Sequence, residues 1–198
     1  MNLRHLFGFA SVSRMSIAAG TTGAGGERLT CAMGCFWGGQ HIYAKYFVPG
    51  AIASKDDIRV GYAGGTTSSP SYRQVCGEGT GHAESIDVSF DPSKASYEQM
   101  VRFFFQVHDP TTPDRQGNDR GHSYRSAIFY HSEEQRRVAE KVKQEVQAKF
   151  YPSKKVVTEV VPAGTFWMAE ASHQHYLEKN PSGYQCPTHY LRKWDWEK

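Results

Sequence analysis

The stretch Leu29-Thr30-Cys31-Ala32-Met33-Gly34-Cys35-Phe36-Trp37-Gly38 joins a short apolar run to a cysteine that is followed by two aromatic residues. The apolar run predicts a buried strand over 28–33. Residues with helical spacing follow, and they are Phe36, Gln40, Tyr43 and Phe47. This stripe predicts a helix over 36–47. Cys35 is therefore expected at a strand-to-helix turn, in the first turn of the helix, where free backbone N–H groups and the helix dipole favour a thiolate.

The residues around Cys35 allow two interpretations. The simpler one is a buried cysteine packed by aromatic side chains. However, Gly34 and Gly38 flank the motif, and a core cysteine does not require close backbone approach on both sides. We therefore predict a reactive thiolate beside a small apolar pocket lined by Phe36 and Trp37.

Size and composition restrict the class of protein. A chain of 198 residues suits one domain with a sizeable core. The 23 Lys and Arg residues exceed the 20 Asp and Glu residues only slightly, so neither a nucleic acid nor a membrane surface is expected as a partner. No apolar stretch approaches the roughly 20 residues that span a bilayer. The four cysteines are too few for the disulfide framework of a small secreted protein.

Residues 1–26 differ from the rest of the chain. They contain Arg4, His5 and Arg14, many small residues and no acidic residue before Glu27. This composition resembles a mitochondrial transit segment, and the alternative is a disordered tail. We expect a cytoplasmic or mitochondrial protein with one catalytic domain over 27–198, whose irregular tail begins at about residue 180.

Hydrophobic periodicity predicts a mixture of strands and helices. Strands are predicted over 28–33, 58–63, 83–90, 126–131 and 156–161. Helices are predicted over 36–47, 96–107 and 133–150, with a short one near 169–178. Ser96 with Gln99, and Ser132 with Gln135, are predicted capping boxes. The order of elements predicts an α+β fold, a two-layer sandwich with a mostly antiparallel or mixed sheet.

One acidic residue occupies an apolar face. On the predicted strand 83–90, Glu84 is in phase with Ile86 and Val88. A buried carboxylic acid is either paired or protonated near neutral pH, because burying the charge costs several kcal/mol. The simpler alternative is a salt bridge with Arg73 or Arg125. Beside a reactive thiol, we favour a neutral acid that donates a proton.

The remaining cysteines differ in their surroundings. Cys186 lies in the irregular tail, where a second thiol could condense with an oxidised Cys35 to give a disulfide. The alternative is an exposed thiol without a role. Cys31 belongs to the predicted buried strand, and Cys76 in a glycine-rich loop stays open as a second relay thiol. The loop 109–123 is long enough to suggest function, although its Asp, Asn, Gly and Pro residues also suit turns.

Several motifs occur in an order that resembles the peptide methionine sulfoxide reductase A family. They are Gly34-Cys35-Phe36-Trp37-Gly38, Gly61-Tyr62-Ala63-Gly64-Gly65, Gly79-Thr80-Gly81-His82-Ala83-Glu84, Gln116-Gly117-Asn118-Asp119-Arg120-Gly121 and Tyr124-Arg125-Ser126. The resemblance covers roughly residues 28–190. It implies a ferredoxin-like core and a protein-repair enzyme of oxidative-stress defence. The implied reaction is reduction of the S epimer of methionine sulfoxide, free or in oxidised proteins and peptides. The implied reductant is thioredoxin, or dithiothreitol in vitro.

The resemblance also implies roles for individual residues. Cys35 matches the nucleophile and Glu84 the acid that holds the sulfoxide oxygen. Phe36 and Trp37 match the wall for the sulfoxide methyl group. The remaining matches are the hydrogen-bonding phenols Tyr72 and Tyr124, the site-ordering carboxylate Asp119 and the recycling thiol Cys186. No bound cofactor or metal is implied, and we expect a monomer.

The chain departs from the family pattern in two places. His122-Ser123 stands where Thr-Gln is expected, and Ala171-Ser172 stands where Asp-Tyr is usual before His173-Gln174. The second change is expected to alter surface contacts near the pocket.

Two other classes of protein compete with this interpretation. A cysteine hydrolase would need one histidine to orient the thiol and an oxyanion hole. The candidate histidines are His82, His108, His122, His131, His173 and His175. A metal-binding module would have to combine Cys35 with His173 and His175, whose spacing fits no tetrahedral zinc pattern.

Overall fold

The computed structural model describes residues 26–77 and 79–196. The strands are β1 Glu27–Met33, β2 Ile58–Ala63, β3 Ala83–Phe90, β4 Arg115–Gln116, β5 Asp119–Arg120, β6 Ser126–Tyr130, β7 Glu159–Pro162 and β8 Trp167–Met168. The α-helices are α1 Phe36–Phe47, α2 Tyr72–Cys76, α3 Tyr97–Gln106, α4 Glu133–Lys149 and α5 Tyr176–Lys179. The predicted transit segment lies almost wholly outside the described residues. None of the described helices is long and apolar enough to cross a membrane.

Six strands form the main sheet, in the order β7-β6-β1-β3-β2-β8. All neighbouring pairs are antiparallel except β6 and β7, which run parallel. Strands β4 and β5 form a separate hairpin inside the predicted loop 109–123. The α+β class and the mostly antiparallel sheet are therefore confirmed.

Helices α1, α3 and α4 pack on one face of the sheet and enclose the main core. Because β3 alternates with a period of two, Ile86 and Val88 point into this core from the centre of the sheet. The opposite face carries a smaller cluster of alanines around Phe129, covered by Val161, Ala163 and Phe166. The fold is thus two-layered, and the helical layer contains most of the buried aromatic side chains.

Most element boundaries agree with the sequence prediction, because local signals fix them. The Ser96–Gln99 capping box is complete. At α4, Ser132 accepts the Gln135 N–H, but the Gln135 side chain accepts the His131 N–H, so the predicted reciprocal pair is only half formed.

Three elements differ from their prediction. Helix α2 is an additional short helix, and its capping box of Ser71 and Gln74 follows a Gly/Thr/Ser/Pro loop that carries no helical periodicity. Strand β7 spans Glu159–Pro162, so it begins three residues later and ends one residue later than the strand predicted over 156–161. The helix predicted near 169–178 is wrong over most of its length, because only Tyr176–Lys179 is helical.

The turn between β1 and α1 depends on a glycine. Gly34 has a φ of +88°, a left-handed conformation that favours glycine. A Cβ atom there would lie 2.4 Å from Cβ of Gln116, which is itself buried. Gly34 therefore allows the β4–β5 hairpin to pack against the residue that precedes Cys35.

Candidate active site

Cys35 occupies the N-cap position of α1, one residue before the first turn in which it was expected. Its side chain is only 6% exposed. Burial raises the pKa of the Cys35 thiol, and Glu84 raises it further whenever its carboxyl group is ionised. The backbone N–H groups of Trp37 and Gly38 act in the opposite direction without reversing the shift. The expected resting thiolate is therefore corrected: in the free protein Cys35 holds its proton.

Glu84 lies on β3 with its side chain turned into the core, 1% exposed. Its Oε2 atom accepts the backbone N–H of Phe36 at 3.0 Å, which places the carboxyl group beside Cys35. Burial raises the pKa of Glu84 to about 8, so the group is predominantly neutral at pH 7. The alternative salt bridge is absent among the described residues, and Arg125 pairs with Glu159 instead.

Aromatic side chains surround the start of α1. The Phe36 ring lies 5.9 Å from Tyr62 and 6.3 Å from Tyr72, measured between ring centroids. Trp37 adjoins Phe36 at 6.4 Å and stacks on Tyr176 at 3.8 Å. Together these rings form an apolar wall next to the Cys35–Glu84 pair.

Two phenols face the same carboxyl group. Burial raises the pKa of both Tyr72 and Tyr124, and Glu84 is the strongest charged influence on each. Cys35 also affects Tyr124, so this phenol lies near both reacting groups. Cys76, the last residue of α2, interacts with both phenols and is exposed. Tyr72 and Tyr124 therefore remain protonated hydrogen-bond donors at neutral pH.

Asp119 connects the site to the tail. The Tyr184 hydroxyl donates to its Oδ2 atom at 2.9 Å. Burial raises the pKa of Asp119, whereas hydrogen bonds from Tyr184 and Cys186 lower it. The charge of Asp119 raises the pKa of both Cys35 and Cys186, so Asp119 interacts with both thiols.

Cys186 is buried, 4% exposed, and is not the freely exposed thiol of the alternative interpretation. Its sulfur lies 3.2 Å from the Thr188 hydroxyl, which donates to the Gln116 side chain at 2.6 Å. His189 donates from Nε2 to the Met33 carbonyl at 2.7 Å. The segment that carries Cys186 is therefore attached both to the β4–β5 hairpin and to the end of β1. All four cysteines are free thiols.

The histidines do not provide a base for Cys35. Phe104 and Ser126 hold His108, Asp114 holds His122, and Trp37 holds His173. Among the residues that the structure describes, no histidine is a cause of the pKa shift of the Cys35 thiol. Within 26–77 and 79–196, no group of three or more His, Cys, Asp or Glu side chains could hold a metal ion. The structure therefore gives no support to either competing class.

Sequence reasoning missed several residues that shape the site, namely Tyr62, Glu170, His173, Gln174 and Tyr184. Gln174 bonds to both the N–H and the carbonyl of Val60 and fixes the segment after β8 against the sheet. Tyr62 and His173-Gln174 belong to motifs quoted from the sequence, and His173 was considered there only as a base for Cys35 or as a metal ligand. Nothing in the local pattern assigns Glu170 or Tyr184 to the site.

An α+β domain that buries a thiol beside a neutral carboxyl group, and a second thiol nearby on a tail, has the features of a thiol-dependent oxidoreductase. The sequence model described as peptide methionine sulfoxide reductase matches residues 27–197. The chain belongs to the peptide methionine sulfoxide reductase family, and it is an oxidoreductase that reduces methionine sulfoxide.

Individual relatives agree with this assignment. A probable peptide methionine sulfoxide reductase of Schizosaccharomyces pombe is 52% identical over 161 residues, 81% of this chain and 94% of the relative. Reduced Mxr1 of Saccharomyces cerevisiae has a similar structure, with a TM-score of 0.80 and 43% identity over 87% of this chain and 95% of Mxr1. Mxr1 in complex with Trx2 matches with a TM-score of 0.59 and 31% identity over 90% of this chain and 99% of that one.

Proposed function

We propose that this protein reduces the S epimer of methionine sulfoxide, in oxidised proteins and as the free amino acid, through Cys35. The observation that carries the proposal is the neutral carboxyl group of Glu84, buried and bonded to the N–H of the residue after Cys35. A sulfoxide sulfur becomes a good electrophile when its oxygen accepts a proton. Glu84 supplies that proton, and Tyr72 and Tyr124 bind the same oxygen.

The protons of the first step balance without a resting thiolate. Glu84 gives its proton to the sulfoxide oxygen and accepts the proton of the Cys35 thiol. The Cys35 sulfur attacks the sulfoxide sulfur and an S–S bond forms. The hydroxyl then moves from the substrate sulfur to the Cys35 sulfur as this S–S bond and the S–O bond of the substrate break, which leaves Cys35 as a sulfenic acid. Methionine leaves in reduced form, and Glu84 is again neutral.

The second step uses the tail thiol. The Cys186 sulfur attacks the Cys35 sulfenic acid, an S–S bond forms, and the hydroxyl leaves as water with the thiol proton. A dithiol then reduces the disulfide, and we propose thioredoxin for this role. The support is the resemblance to Mxr1, whose structure is known in complex with Trx2.

Further properties belong to the same proposal. The strand order β6-β1-β3-β2, with helices α1 and α3 connecting the strands, supports a ferredoxin-like core. We propose that the enzyme works as a monomer without a bound cofactor, metal, nucleic acid or membrane. We place it in the cytoplasm or the mitochondrion on the composition of its first 26 residues.

Turnover of the separated R and S epimers of a methionine sulfoxide peptide, with dithiothreitol as electron donor, tests the proposal. We expect reduction of the S epimer only, because the donors that bind the oxygen and the rings that contact the methyl group are held in fixed positions by the fold. The Cys35→Ser variant should be inactive on both epimers. Equal rates for the two epimers, or full activity of Cys35→Ser, would overturn the proposal.

A further inference from the structure

Glu170 and His173 form a turn that contacts β2, α2 and α1, the three elements that carry the aromatic side chains of the site. The two oxygens of Glu170 accept different donors: the Tyr62 hydroxyl at 2.7 Å and the backbone N–H of Tyr72 at 2.9 Å. Glu170 therefore connects strand β2 to the beginning of helix α2. The turn itself is closed by the His173 N–H, which donates to the Glu170 carbonyl at 2.9 Å.

His173 holds the tryptophan of the pocket. The indole N–H of Trp37 donates to Nδ1 of His173 at 3.1 Å. The imidazole ring also lies 4.4 Å from the Tyr72 ring and 5.5 Å from the Phe36 ring, measured between centroids. Because Nδ1 is the acceptor, the neutral ring carries its proton on Nε2. Protonation of Nδ1 would remove the acceptor and break the bond to Trp37.

We infer that Glu170 and His173 are positioning residues that fix the orientation of Tyr72 and Trp37 for binding of the substrate sulfoxide. This inference rests on the proposed function, because it assumes that this wall binds the methylsulfinyl group. Neither residue touches the reacting atoms. Their effect is to keep the rings of Trp37 and Tyr72, which lie more than 30 residues apart in sequence, in fixed positions beside Glu84 and Cys35.

The surroundings of His173 define a pH dependence. The titratable groups that face the imidazole are Glu170, whose Oε2 lies 3.9 Å from Nε2, and Tyr72 on α2, while α1 contributes only Phe36 and Trp37. Burial lowers the pKa of His173 below 6.5, and Glu170 partly opposes the shift. The bond to Trp37 is thus intact at neutral pH and is lost on acidification.

The test compares two substitutions of His173. In His173→Asn the amide oxygen can replace Nδ1 as acceptor, whereas His173→Phe keeps a ring but removes the acceptor. In single turnovers with the S epimer, we expect His173→Phe to weaken substrate binding by about three- to tenfold, the usual effect of one lost hydrogen bond. The rate at saturating substrate should change by less than about twofold. His173→Asn should bind like the wild type.

Three controls separate a positioning role from general damage. Alkylation of Cys35 by iodoacetamide should proceed at the wild-type rate in all variants. Substrate binding by the wild type should weaken as the pH falls below 6.5, with a matching change in Trp37 fluorescence, and His173→Asn should lack this dependence. Glu170→Ala should weaken binding more than Glu170→Gln, because the amide can still accept from the Tyr72 N–H and donate to the Tyr62 oxygen.

The outcomes also distinguish this inference from the proposed function. If the wild type does not discriminate the epimers, the proposed function fails. If the wild type reduces the S epimer but His173→Phe and His173→Asn bind it equally well, the positioning role alone is overturned. Equal losses of binding, rate and Cys35 alkylation would equally overturn it, since they indicate general structural damage.

Discussion

At the scale of single residues, the proposed chemistry depends on Glu84. A carboxyl group in phase with Ile86 and Val88 would be unfavourable in most folds, since ionisation in the core is costly. Here the Phe36 N–H donates to one carboxyl oxygen, and burial raises the pKa of Glu84 to about 8. The same burial raises the pKa of the Cys35 thiol.

Glu84→Gln should separate activity from stability. We expect a decrease in the single-turnover rate on the order of a hundredfold or more, because an amide cannot donate an acidic proton. In the wild type, this rate should also fall above pH 8 as Glu84 ionises. A single-turnover rate of the variant close to that of the wild type would remove Glu84 from the acid role.

The same variant should change the pH dependence of folding. The pKa of Glu84 is raised in the fold from 4.5 to about 8, so its stabilising contribution is complete below pH 4.5 and is lost as the pH rises through 8. Glu84→Gln cannot ionise and escapes this loss. The free energy of unfolding in urea should therefore increase for the variant relative to the wild type between pH 4.5 and 8, by a few kcal/mol in total. A difference that stays constant with pH would contradict the buried neutral acid.

At the scale of elements, the start of α1 is the point where the site and the tail meet. Gly38 lies in the first turn of α1, and a Cβ atom there would be 2.0 Å from Nδ1 of His189. Burial lowers the pKa of His189 to about 4, so the ring is neutral and donates from Nε2 to Met33. The close approach of α1 to the His189 ring therefore requires glycine, which has no side chain, at position 38.

Gly38→Ala should displace the tail while leaving the helix intact. Alanine favours a helix by roughly 1 kcal/mol over glycine, but its methyl group collides with His189. We expect faster alkylation of Cys186, which is buried in the wild type, and slower recycling by thioredoxin. The double variant Gly38→Ala with His189→Ala leaves room for the methyl group and tests this cause. Wild-type alkylation of Cys186 in the single variant would contradict the predicted collision.

At the scale of the whole molecule, the tail packs against helices α3 and α4 beyond Cys186. Trp194 stacks on Phe150 of the α4 C-cap with ring centroids 4.2 Å apart, and Arg102 of α3 lies over Trp196 at 4.5 Å. Arg192 donates to the Gln106 carbonyl. The chain from Arg192 to Trp196 is therefore held against α3 and the end of α4.

Cys186→Ser should reveal the division between reduction and recycling. The variant should release one methionine per enzyme and then stop when thioredoxin is the reductant, because no disulfide can form with the tail. Mass spectrometry should find Cys35 oxidised. Cys76→Ser serves as the matched control and should recycle normally. Sustained turnover of Cys186→Ser would instead indicate relay through Cys76 or direct reduction of Cys35.

The sequence by itself determined the family, the β1–α1 turn that carries Cys35, and the buried phase of Glu84. These features follow from patterns within a few residues, namely helical spacing, two-residue alternation and capping side chains. Helix α2 and the true extent of α5 escaped the prediction, because packing against distant segments stabilises such short elements.

Only the tertiary structure decided which groups surround the sulfur and how they are protonated. Trp37 meets His173 across 136 residues of sequence, and Phe36 meets Glu84 across 48. The pKa of a carboxyl or thiol group depends on its burial and on charges brought near it by folding, and neither quantity is encoded in adjacent residues. For this reason the place of Cys35 at the start of α1 could be predicted from the sequence, whereas the protonation of its thiol depends on the tertiary structure.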